Sequence, residues 1–129
     1  MMKNMANADI KILLVEDDPT LIDMYSLKFK QEGYNLFVAD NGEAGLELAL
    51  KEKPTVILLD IMMPKMDGFA VLAELKKNDL VKNTPVLMLS NLGQAADIEK
   101  GQAMGAQDYI VKASMTPTQV IEKVKSYLK

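Results

Sequence analysis

The chain contains no cysteine and no histidine. It therefore has no disulfide framework, no thiol nucleophile, no cysteine–histidine zinc site and no imidazole general base, and it cannot carry a phosphohistidine. Arginine is also missing. All 15 basic residues are lysine, which removes bidentate guanidinium clamps on phosphate or guanine. Long apolar runs are absent near the start: Ile12–Val15 is broken at once by Glu16, Asp17 and Asp18, too early for a signal-peptide core or a membrane span. What chemistry remains must use carboxylates, lysine and hydroxyls, with or without a hard metal.

The 129 residues suffice for one domain with its own core, and 49% hydrophobic with 26% charged residues is ordinary globular composition. The net charge is −3 and the lysines are scattered from Lys3 to Lys129, so bulk attraction to nucleic acid or an anionic membrane is not expected. The reading is a cytoplasmic protein with a disordered tail over residues 1–8 and a single domain over 9–129.

Five short apolar runs alternate with amphipathic stretches. The runs are Ile10–Val15, Asn35–Ala39, Thr55–Leu59, Val86–Leu89 and Gln107–Val111. Three are apolar on both alternating faces, as strands of a parallel sheet covered on both sides should be. The first helix starts at Pro19 with Asp18 as N-cap, continues through Leu21, Met24, Tyr25, Leu27 and Lys28 at helical spacing, and is closed by Gly33. A second spans about Gly42 to Lys53, where Pro54 stops it, burying Ala44, Leu46, Leu48, Ala49 and Leu50. The others span about Gly68 to Lys77, Gln94 to Met104, and Thr116 to Leu128. Five strand–helix units with right-handed crossovers give an α/β doubly wound (βα)5 fold, a parallel five-stranded sheet with helices on both faces.

In such sheets ligands bind beyond the C-terminal strand ends. Those positions hold Glu16, Asp17 and Asp18 after the first strand, Asp60 after the third, Ser90 after the fourth and Lys112 after the fifth. Carboxylates brought close repel one another, and magnesium, which takes one or two carboxylates with waters and a phosphate oxygen, relieves that repulsion. A carboxylate beside the metal can attack phosphorus and form an acyl phosphate. Asp60 is the chosen nucleophile because it ends the central strand ahead of Ile61-Met62-Met63-Pro64. Lys112 would neutralise phosphoryl charge and Ser90 would donate to a phosphoryl oxygen. Taken singly, each residue has a plainer role: Asp18 a cap, Lys112 a solvated lysine, Ser90 a turn residue. Their coincidence at one sheet edge is what those separate roles do not explain.

From Asp9 to Lys129 the chain resembles a bacterial two-component response-regulator receiver domain. The resemblance rests on Ile12-Leu-Leu-Val-Glu-Asp-Asp-Pro19, Leu59-Asp-Ile-Met-Met-Pro-Lys-Met-Asp-Gly68, Leu89-Ser90 and Gly105-Ala-Gln-Asp-Tyr-Ile-Val-Lys112, at family-like intervals. It implies the strand order 2-1-3-4-5, known for the chemotaxis member of the family. It also implies Asp60 as phosphoacceptor, Glu16 and Asp17 as the magnesium-binding acids, and a Met62 backbone carbonyl on the metal. Ser90 and Lys112 would contact the phosphoryl group. Tyr109 would be the aromatic switch, turning inward when Ser90 is drawn to the phosphate and altering the face built from helix four, strand five and helix five. The implied partners are a sensor histidine kinase or phosphotransfer protein and a downstream protein target, with a phosphorylation-dependent dimer among the outcomes the family allows. Beyond its own phosphorylation and slow dephosphorylation, the domain would not be an enzyme.

Ala113 follows Lys112 where the family usually has proline, so no cis peptide is expected there. Asn91 stands where a small residue is common, crowding donor access or the Tyr109 swing. Met62 and Leu92 are both apolar and cannot orient an attacking water, so slow hydrolysis of the acyl phosphate is expected. A haloacid-dehalogenase-type phosphatase would need an acid at Met62, and a flavin carrier a hydroxyl- and glycine-rich loop where Glu16-Asp17-Asp18 stands. The remaining alternative is a receiver-like interaction domain that phosphorylation does not regulate.

Overall fold

The computed structural model describes residues 7–91 and 95–128. Five strands, β1 (Lys11–Val15), β2 (Asn35–Ala39), β3 (Val56–Asp60), β4 (Val86–Ser90) and β5 (Asp108–Val111), alternate with five helices. The helices are α1 (Pro19–Gln31), α2 (Gly42–Glu52), α3 (Gly68–Lys77), α4 (Ala95–Ala103) and α5 (Pro117–Lys125). All strand pairs are parallel and the order is β2-β1-β3-β4-β5, so the doubly wound arrangement is as the sequence implies.

β3 and β4 are buried along their whole length, and β1 from Ile12 onward. Alternate residues feed two cores. Ile12 and Leu14, Leu58, Leu87 and Ile110 meet Tyr25 and Phe29 of α1 and Val120, Ile121 and Val124 of α5. Leu13 and Val15, Ile57, Leu59 and Met88 meet Ala49 of α2 and Val71, Leu72 and Leu75 of α3. The helix ends follow the expected chemistry. Asp18 accepts from the Thr20 and Leu21 N–H groups, and Thr116 with Gln119 forms a capping box on α5. Gly33, at φ +85°, lets the Tyr34 N–H reach the Phe29 carbonyl and closes α1 with a Schellman motif.

Several expectations change in detail. In α1 the buried side chains are Tyr25 and Phe29, while Met24 is 40% and Leu27 60% exposed. The stripe facing the sheet follows i, i+4 spacing from Leu21, and Met24 and Leu27 fall off it. In α2 the side chain wholly inside is Ala49, with Ala44, Leu46, Leu48 and Leu50 half-buried. Ile10, Thr55 and Gln107 sit just outside their strands. Thr55 and Gln107 still bind the sheet, through the Lys11 N–H on Thr55 Oγ1 and the Val86 N–H on the Gln107 side chain.

Of the expected tail, residues 1–6 lie outside the described residues, as do Lys129 and the start of the fourth helix at Gln94. Asn7 and Ala8 depart from the expectation of disorder. They open a 3₁₀ turn (Asn7–Asp9) that is tied down by the Asn7 side-chain amide donating to the Glu32 carbonyl at 2.6 Å.

Candidate functional site

The sheet order reverses between β1 and β3, and the acids lie at that point. Glu16 follows β1, and its N–H donates to the Ala39 carbonyl of β2, turning the side chain into the site. Glu16 is fully buried, with Oε2 accepting the Asp17 and Asp18 N–H groups at 3.0 Å each. Asp60 ends β3 and is 3% exposed; its Oδ1 accepts a long hydrogen bond from the Met62 N–H at 3.4 Å. Asp17 faces solvent, yet carboxylate oxygens of Glu16, Asp17 and Asp60 all lie within 4.8 Å of one another.

Lys112 reaches in from the end of β5, its backbone N–H held by the Ser90 carbonyl at 2.8 Å. Its side chain is 7% exposed, and the ammonium lies 2.6 Å from Glu16 Oε1 and 3.0 Å from Asp60 Oδ2. The Glu16 contact is an ion pair off the hydrogen-bonding direction, since Oε1 has no aligned donor although it is sealed from water. Burial works against the Lys112 ammonium, but the two carboxylates outweigh it and hold the amine above its usual range. Burial, then the Glu16 charge, pushes the Asp60 carboxyl up to about 7, with Lys112 only partly offsetting them. One lysine does not neutralise these three acids.

The donor set fits a small hard divalent cation. It consists of three converging carboxylates, one of them with a buried, unaligned oxygen, and a solvent-open side at Asp17 for water ligands. A cavity beside Asp60 is lined by Ile61, Met62, Leu89, Ser90, Asn91 and Asp97, so Ser90 and Met62 flank the carboxylate. Met62 is 72% exposed there, and Asn91 is exposed at the rim. Leu92 lies outside the described residues. Peptide bonds among the described residues are all trans.

The structure thus brings Glu16, Asp17, Asp60, Met62, Ser90 and Lys112 to one place. Tyr109 is half-buried one strand further out and meets Ser90 across a second, smaller cavity. Three contributions escaped sequence reasoning. Tyr25, 1% exposed on α1, lies close enough behind the site to feel Lys112, Glu16 and Asp60, and burial raises its phenol above the usual range. Gly68 starts α3 so close to β3 that a Cβ there would sit 2.2 Å from the Asp60 carbonyl oxygen; a glycine after the Asp67 cap was the available signal. Asp97 faces the site from α4, and no sequence pattern marked it.

Fold and site together define a signalling receiver of the two-component kind. The chain belongs to the response regulator receiver domain family, whose model matches residues 12–125. Among curated proteins it is similar to the DNA-binding dual master transcriptional regulator RpaA of Synechocystis, 40% identical over 102 residues covering 79% of this chain and 42% of that protein. It is 35% identical over 119 residues to the alkaline phosphatase synthesis transcriptional regulatory protein PhoP of Bacillus subtilis, covering 92% of this chain and 48% of that one. The chain spans about half the length of the curated relatives it matches. Among solved structures, the chemotaxis protein CheY4 of Vibrio cholerae superposes with a TM-score of 0.86 at 29% identity, covering 92% of this chain and 98% of that chain. The BeF3-activated N-terminal receiver domain of Klebsiella pneumoniae RstA does so with 0.84 at 28%, again covering 92% and 98%. Among the described residues no helix is long and apolar enough to cross a membrane.

Proposed function

We propose that this receiver accepts a phosphoryl group on Asp60 from a phosphohistidine donor and passes the signal on through its α4–β5–α5 face. The observation that carries the reading is the buried Asp60 carboxylate, set between an acid cluster open to solvent at Asp17 and the Lys112 ammonium at 3.0 Å. An Asp60 oxygen attacks phosphorus, the donor's phosphorus–nitrogen bond breaks, and its electron pair returns to the donor imidazole. Glu16, Asp17, Asp60 and the Met62 carbonyl would hold magnesium, which supplies charge neutralisation on the phosphoryl oxygens. Lys112, now relieved of sole responsibility for the acids, pairs with a phosphoryl oxygen, and the Ser90 hydroxyl donates to another.

Drawing Ser90 toward the phosphoryl group would open room for Tyr109. Packing favours α4 as the element that yields, because Gly101 is its one buried residue among those described. The partners in this reading are a histidine kinase or phosphotransfer protein upstream and a protein target downstream, in the cytoplasm. The domain's own catalysis is limited to its phosphorylation and dephosphorylation. Mass spectrometry after acetyl phosphate with magnesium tests the reading. A gain of one phosphoryl, absent in Asp60→Asn, is expected; no gain in the parent, or an equal gain in Asp60→Asn, refutes it.

A further inference from the structure

A second charged cluster lies away from the acids, where α5 crosses the start of β5. Asp108 Oδ1 accepts from the Tyr109 N–H at 2.8 Å and from Lys123 Nζ at 3.1 Å, and Oδ2 accepts from the Tyr127 hydroxyl at 2.7 Å. Lys123 also donates to the Tyr109 carbonyl at 3.2 Å, and its ammonium lies 5.3 Å from the centroid of the Tyr109 ring. All of these side chains are half-buried, and the contacts hold Asp108 below the usual carboxylate range even though burial acts the other way. Lys123 is therefore a cation with two fixed anchors, an aspartate carboxylate and a backbone carbonyl, lying against a ring.

We infer that Lys123, aimed by Asp108 and Tyr127, is a positioning residue that holds the Tyr109 ring beside its ammonium at the β5 edge and opposes its swing toward Ser90. The inference rests on the switch role proposed for Tyr109. A ring face within about 6 Å of a cation is attracted to it. The ring gives up this contact when it leaves, and Lys123 cannot follow without abandoning both anchors. At the destination, the cavity beside Ser90, Met88, Ile98 and Gly101 has room for about one water, about 10 Å³. The ring enters it only as α4 moves away. The anchored lysine thus adds to the cost of leaving the resting position, and removing it shifts the population toward the inward state before any phosphoryl group arrives.

The test uses the full chain with magnesium and beryllofluoride as the phosphoryl mimic. Fluorotyrosine is incorporated and the Tyr109 fluorine resonance is assigned through Tyr109→Phe. In Lys123→Met the resonance without ligand should move toward its beryllofluoride position. Half-saturation should need about two- to fivefold less beryllofluoride, the factor an exposed cation–π contact is worth. Tyr127→Phe, which lies outside α5 and spares its fold, should move both readouts in the same direction by less, and Lys123→Arg should restore the parent values. A Lys123→Met protein that matches the parent in both readouts overturns the inference, as does an arginine variant that departs as far as methionine does. If Lys123→Met does not fold, an unmoved Tyr127→Phe overturns it. Parent protein that binds no beryllofluoride would remove the phosphorylation reading itself. Parent protein that binds it with a stationary Tyr109 resonance would remove the switch role, and the inference with it.

Discussion

Replacing Asp60 by asparagine should stabilise the metal-free protein. The carboxyl is 3% exposed, and burial together with the Glu16 charge pushes it up to about 7, whereas in the unfolded chain it ionises near its ordinary value of about 3.9. A folded-state value raised in this way favours folding most at low pH, and that contribution is lost as pH rises from about 4 through about 7. At about pH 8.5 the folded state carries the whole penalty, with a ceiling of about 4 kcal/mol at 1.36 kcal/mol per pH unit. Water entering the open side at Asp17 reduces this, so a gain of about 1–3 kcal/mol for Asp60→Asn is the expected size. For a domain of this length that is about 4–10 °C in melting temperature.

Differential scanning calorimetry in chelator at about pH 8.5 measures the difference, and repeating it near pH 5 should show it shrinking as Asp60 takes up a proton. Saturating magnesium should stabilise the parent by about 2.7 kcal/mol at one hundred times the dissociation constant while leaving the variant behind, narrowing or reversing the order. Lys112→Ala provides the opposite case. It strands Glu16 and Asp60 without their counter-charge and should lower the melting temperature under the same conditions. An asparagine variant that melts at or below the parent at high pH without metal would refute the claim that these carboxylates repel one another in a buried site.

Three further outcomes follow from single contacts. Gly68→Ala would put a methyl 2.2 Å from the Asp60 carbonyl oxygen, so urea unfolding should show a loss of about 3 kcal/mol, at the upper end of what overpacking costs, or the start of α3 must move. The Tyr127 phenol is pushed up to about 12 chiefly by its hydrogen bond to Asp108. Its contribution to stability is complete below about pH 10 and lost as pH rises through about 12, and Asp108→Asn should return the phenol toward about 10 in a titration of tyrosine ring-carbon shifts. With apolar Met62 and Leu92 unable to orient water, radiolabel on the phosphorylated protein should persist longer than on a Met62→Asn, Leu92→Gln double variant; equal decay would end that expectation.

Strand positions and most of the acid site were legible in the sequence for one reason: Glu16, Asp60, Ser90 and Lys112 each directly end a short apolar run. A parallel strand covered on both faces has to be apolar along its length, so the first polar residue marks where the strand leaves the sheet. Glu16, Asp60 and Lys112 are such residues, and the β2-β1-β3-β4-β5 order then brings them within ion-pair range. The stripe of α1 was harder to place because a helix carrying Leu21, Met24, Tyr25, Leu27 and Phe29 offers two overlapping apolar faces. Which one is buried depends on the tilt of α1 against α5, and that is a tertiary quantity.

The Asp108 cluster was illegible for a related reason. Lys123 and Tyr127 are four residues apart, a spacing that suits one helix face, but nothing local says that this face crosses Asp108 rather than solvent. The same distinction separates the chemistry from its control. Acids at strand ends are fixed by the rigid sheet, which leaves their distances insensitive to helix movement. The Tyr109 ring instead lies between Lys123 on a well-anchored α5, with three buried side chains, and a cavity bordered by α4, which buries only Gly101 among the described residues. That asymmetry makes α4 the side on which the ring can gain room, while α5 and its lysine resist the move.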